Sequence, residues 1–138
     1  MQPPPDLSWN HAMEMLRLST EEAERRGVPV CICIRDRHDN LVASIRMKGA
    51  PLGSIDLACQ KARSSALFPF PSEVLQMVPG LELSNGIISN LGGGLPLITS
   101  SGESAGSIGV SGDMTPPGDT EIAQVAVEKI DFILENYW

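Results

Sequence analysis

The chain has 138 residues, 42% of them hydrophobic but only 4% aromatic, and a formal net charge of −7. This length predicts one domain with a core of aliphatic and small side chains. The acidic balance excludes nucleic acid as a partner, and no run of about 18 apolar residues is present to span a membrane. The opening stretch, MQPPPDLSWN, has neither a basic nor an apolar leader region, so no secretory signal is expected. Three cysteines, an odd number, argue against a disulfide framework and for a reducing, cytoplasmic setting.

Residues 1–7 contain Pro3, Pro4 and Pro5 and read as an extended arm, leaving 8–138 as the single domain. Ser8 is placed to cap a helix running to about Arg26, with Met13, Leu16, Ser19 and Ala23 on its inner face and Gly27 and Pro29 ending it. Val30–Arg35 is apolar and β-branched and predicts a strand. Arg37–Asn40 is its hairpin turn and Leu41–Arg46 the return strand. Ser54 is expected to cap a second helix with a stripe of small residues, Ala58, Cys59, Ala62 and Ala66, ended by Pro69 and Pro71. Glu73–Val78 predicts a short third helix, and Gly86–Ser89 a short strand.

The stretch from Leu91 to Gly112 is the most informative. Gly92, Gly93 and Gly94 precede an apolar run, a turn at Ser101-Gly102 follows, and Ser107–Val110 returns with Gly106 and Gly109 inside it. Glycine within a strand marks a bulge or a place where something approaches the main chain, whether a ligand, a helix or a subunit. A last helix is expected from Asp119 or Thr120 to about Glu135, with Lys129 on its inner side. Strands joined by short turns predict an α+β fold, one antiparallel sheet of five strands with helices packed on it.

The glycines match neither the phosphate-binding loop pattern nor the dinucleotide fingerprint. The histidines, His11 and His38, have no partner at metal-ligand spacing. Cys31 and Cys33 share one face of their strand without a basic neighbour, and Cys59 sits on an apolar stripe, so all three read as inert buried thiols. Glu21 and Glu24 read as a solvated helical face. Arg46, Lys61 and Arg63 stand out as cations in an acidic protein, placed to fix a carboxylate ligand or to pair with Asp36 or Asp56. No Ser-His-Asp set or acid–base carboxylate pair can be assembled.

Several segments resemble one family. Val30–Asp36 with Asn40–Ala43, Arg46-Met47 and Gly49-Ala50 resembles "VxVxVxD…GxLxAxxRMDGA". Ser54–Phe68, with Lys61-Ala62-Arg63-Ser64-Ser65-Ala66, resembles "S…AxxKAxTAAxF". Gly93–Leu97 resembles "GGVPI", Gly106–Gly112 resembles "GAIGVSG", and Asp119 with Ala123 resembles a closing "DxxxA" helix. In this order they resemble the GlcG/HbpS-like family, which includes the C-terminal domain of PduO-type cobalamin adenosyltransferases. The resemblance implies a profilin-like fold with five antiparallel strands and homo-oligomers, from dimer to octamer. It also implies a small-ligand-binding protein, with haem or a related tetrapyrrole as the ligand. The alternatives are a small cofactor-independent isomerase or cyclase acting on an acidic metabolite, and an oligomeric scaffold without ligand. Arg46, Lys61, Gly93, Gly94 and Ser111 are the expected ligand-binding positions, Arg46 and Lys61 the catalytic candidates, and His11 the haem-ligand candidate.

Overall fold

The structure is a computed structural model and describes residues 6–80 and 87–138. Helix α1 (Trp9–Arg26) leads into strands β1 (Cys31–Asp36) and β2 (Leu41–Arg46). Helix α2 (Ser54–Leu67) and a 3-10 turn (Ser72–Met77) follow. Strands β3 (Gly94–Ile98) and β4 (Ser104–Ser111) come next, then helices α3 (Gly118–Val127) and α4 (Ile130–Asn136). The sheet is antiparallel with order β2-β1-β4-β3.

Alternation along β1 separates two layers. Ile32 and Ile34 face the main core with Met15, Ile108, Ile122 and Ile133, under α1, α3 and α4. Cys31 and Cys33 face the other way and pack with Ala50, Ala58 and Ala62 of the α2 layer. The three thiols are free, and burial pushes that of Cys33 up to about 12, the opposite of an activated cysteine.

Helix α1 begins at Ser8 as expected. The Ser8 hydroxyl accepts from the His11 N–H at 3.1 Å, and the Ser8 N–H donates to His11 Nδ1 at 3.0 Å, closing a capping box. Its inner face differs by one position: Met15 is fully buried and Met13 is exposed. Helix α2 starts at Ser54, but its cap is Gly53, with no side-chain hydrogen bond. Glu73–Val78 forms a 3-10 turn rather than an α-helix.

Two further expectations are corrected. Four strands, not five, are present among the described residues. Gly86 lies outside those residues, and Ile87–Ser89 joins no ladder. The reason is a contact distant in sequence: Ser89 donates its N–H to Ser64 Oγ at 2.8 Å, and its carbonyl accepts from the same hydroxyl at 2.9 Å. With both main-chain groups held by α2, nothing is left for strand pairing. The last helix is interrupted at Glu128-Lys129, which leaves Lys129 exposed and carries Ile130, Ile133 and Leu134 into the core.

The bare backbone of β4 is explained by α2. A Cβ on Gly109 would lie 2.1 Å from the Ala58 carbonyl oxygen and 2.6 Å from the Ala62 nitrogen. The main-chain approach predicted from the glycines is that of a helix. Both tryptophans, Trp9 and Trp138, stand outside the core, 68% and 78% exposed.

Candidate functional site

A cleft of about 620 Å³ opens on one side of the sheet's α2 layer. It opens where α2, the 3-10 turn, the loop before β3, the end of β4 and the start of α3 meet. Such a volume falls within the range of about 300–1,000 Å³ usual for small-molecule sites. Leu52, Leu57, Leu91 and Met114 give it apolar walls, while Glu73, Asp113 and Asp119 make it acidic.

Lys61 and Asp119 border the cleft as a buried pair, 3% and 8% exposed. Lys61 Nζ donates to Asp119 Oδ2 at 3.2 Å and to the Val110 carbonyl at 3.0 Å. Asp119 Oδ1 accepts from the Asp113 N–H at 2.9 Å. The pair thus ties α2, β4 and α3 together at one point. Burial lowers the Lys61 pKa and raises that of Asp119, because each charge has lost water that its partner replaces only in part. Gly93 is required here: at φ +126°, a Cβ would sit 2.3 Å from the Val110 carbonyl oxygen and 3.0 Å from Lys61 Nζ.

The predicted site residues separate into groups. Lys61 and Ser111 border the cleft, and Gly93 backs the ion pair. Gly94 lies under α2, where a Cβ would meet the Lys61 carbonyl oxygen at 2.3 Å. Arg46 stands behind the cleft wall, with Nη1 3.4 Å from the carbonyl of Pro51, a lining residue. His11 is buried in its capping box, away from the cleft, and its Nε2 satisfies no hydrogen bond. Burial holds the imidazole pKa below its ordinary value, the neighbouring Tyr137 main chain opposing in part.

The cation pairings also differ from expectation. Lys61 pairs with Asp119, and Arg63 with Asp39 at 3.0 Å. Asp36 instead accepts from the His38 and Asn40 N–H groups, each at 2.9 Å, and so shapes the β1–β2 turn. Sequence reasoning missed Asp119 as a site residue, along with Glu73, Asp113 and Thr120. Its sequence signals were its place at a helix start, which reads equally well as an acid on the helix dipole, and its match to the closing "DxxxA" motif, which assigns it no role in a site. No group of three or more metal-ligating side chains occurs among the described residues, and no helix there is long and apolar enough to cross a membrane.

A comparison with curated protein sequences finds no match. Solved structures are more informative. Klebsiella pneumoniae protein ORFY is 28% identical, with a TM-score of 0.86 over 95% of this chain and 94% of its own. A PduOC:heme complex is 27% identical, with a TM-score of 0.82 over 97% and 98%. A double mutant of Streptomyces reticuli HbpS is 27% identical, with a TM-score of 0.81 over 93% and 89%. The family model described as haem degrading protein HbpS-like matches residues 7–128. By that match, together with the shared fold, the chain belongs to the HbpS-like family.

Proposed function

We propose that this chain is a small-ligand-binding protein and that its ligand is haem or a related tetrapyrrole, held in the cleft over the Lys61–Asp119 pair. The observation that carries the reading is the cleft itself, of small-molecule size and apolar-walled, in a family whose structures include a haem complex. Leu52, Leu57, Leu91 and Met114 would hold the flat macrocycle. The acidic walls would keep its carboxylates at the open mouth.

The fit to iron is narrower. Haem iron takes His, Cys, Met or Tyr ligands, and among the described lining residues only Met114, 86% exposed, is of these types. His11 lies away from the cleft, and its Nε2 carries the proton while Nδ1 accepts from Ser8, so it would hold iron only at a separate site at the start of α1 and after losing that proton. The bound group would supply a redox-active iron; the protein's part is to enclose and orient the ring.

Titration with haemin tests this. A saturable Soret shift at one haem per chain is expected, and no shift at stoichiometric haem sinks the reading. Gly92→Leu places a side chain toward Thr120 and Glu73 inside the cleft and should abolish binding, whereas loss of binding in His11→Gln alone would move the site to the start of α1. Iron-free protoporphyrin should bind within about tenfold of haemin if the walls dominate.

An enzymatic reading rests on a different observation, a buried Lys–Asp ion pair at the edge of a cleft. Its mark would be turnover of a small molecule that Asp119→Asn abolishes. Homo-oligomerisation belongs with these proposals, and a native mass measurement tests it.

A further inference from the structure

We propose that the Lys61 amine is a covalent capture site for an uncharged aldehyde or ketone entering the cleft, with Asp119 holding and returning the proton. The inference goes beyond tetrapyrrole binding and needs only the cleft, not a macrocycle within it.

Lys61 is the one cationic side chain among the described lining residues, and it shares the cleft with three carboxylates, Glu73, Asp113 and its own partner Asp119. Such walls repel a carboxylate or phosphate and admit a neutral molecule. Leu57, Leu91 and Met114 suit the hydrocarbon part of that molecule. Nζ is held in place by two acceptors, the Val110 carbonyl and Asp119 Oδ2. An ammonium has three donors, and the third has no acceptor among the described residues. Burial favours the neutral forms of both partners, so passing the proton from Nζ to Oδ2 costs less than it would in water. A desolvated lysine of this kind is a nucleophile toward carbonyls.

The step balances without any outside oxidant or reductant. Nζ gives one proton to Asp119, and its lone pair attacks the carbonyl carbon. The N–C bond forms, the carbonyl π pair moves to oxygen, and that oxygen takes the proton from Asp119. Nitrogen then returns a second proton to Asp119, which passes it to the hydroxyl. The C–O bond breaks, water leaves, and the nitrogen pair closes the C=N bond. An ammonium and a carbonyl become a protonated imine and water, with Asp119 again a carboxylate.

The sequence contains three lysines, Lys48, Lys61 and Lys129, and the other two are exposed, so they serve as internal controls. The folded full chain is treated at about pH 7 with butanal and cyanoborohydride, and butylated lysines are mapped by peptide mass. Lys61 is expected to react faster than Lys48 or Lys129, since burial lowers its pKa and raises the share of free amine. That preference should vanish in urea and weaken when pyruvate replaces butanal. Labelling of Lys61 no faster than the exposed lysines overturns the proposal, with no variant required. Asp119→Asn should slow Lys61 alone; an unchanged rate removes Asp119 from the step. A protein that shifts the Soret band but leaves Lys61 unlabelled loses only this inference, and one that labels without a Soret shift loses only the tetrapyrrole reading.

Discussion

His11 accepts from the Ser8 N–H through Nδ1, which places its proton on the buried Nε2. The native state therefore holds this imidazole neutral, with a pKa lowered by burial. A lowered folded value means that the unfolded chain binds the proton more readily, so the stability it contributes is complete above about 6.5 and is lost as pH falls through the folded value. The thermal midpoint should decline on acidification from pH 7 through this window. Glutamine is a natural third-position partner in a capping box, so His11→Gln should flatten that part of the profile. An equal slope in both proteins would refute the assignment. Lys61 and Asp119 make the second case. Removing one member strands a buried charge, so Lys61→Met should cost about 3–5 kcal/mol by chemical denaturation. Adding Asp119→Asn, which keeps an oxygen for the Asp113 N–H, should recover most of it; no recovery would mean that the pair is not the source of the loss.

The elements were legible in the sequence where one local signal decided them. Ser8, Gly27 and the helical period marked α1, and the Arg37–Asn40 turn marked the first hairpin. The glycine-rich stretch resolved into β3 and β4 joined through Thr99–Glu103. Legibility ended where distant residues decide. Ser64 takes both main-chain groups of Ser89 across 25 positions and so cancels a strand that the local pattern allowed. Lys61 finds Asp119 across 58 positions, beyond the reach of any spacing argument, so only half of the site's ion pair could be named beforehand. The glycines test the packing account. Gly109→Ala should cost about 3 kcal/mol or more, since the added carbon would overlap α2 main chain. Gly102→Ala, in the hairpin turn at φ +85° with nothing within 4 Å, should cost only about 1 kcal/mol. Equal losses at the two positions would mean that α2 does not rest on β4 as described.

At the scale of the molecule, the two faces of the sheet have different tasks. One buries the large aliphatic side chains against α1, α3 and α4. The other uses small residues to bring α2 close, and the cleft forms at the end of that thinner layer. A net charge of −7 surrounds it. Haemin carries two carboxylates, so its approach is opposed by the field of the whole protein, and added salt screens that field within about 10 Å at 0.1 M. Association in stopped flow should therefore speed up with ionic strength; slowing would point to a local cationic entry, with the exposed Arg46 beside the lining residue Pro51 the first to test.

The exposure of Trp9 and Trp138 has a spectroscopic consequence. They are the chain's two tryptophans, and both stand in solvent in the native state, at 68% and 78% exposure. Intrinsic emission should peak at the wavelength of free indole whether the protein is folded or not. It will be nearly blind to loss of the core, which circular dichroism must follow instead. Quenching of that emission by an absorbing ligand would then report energy transfer across the molecule and not a change in folding.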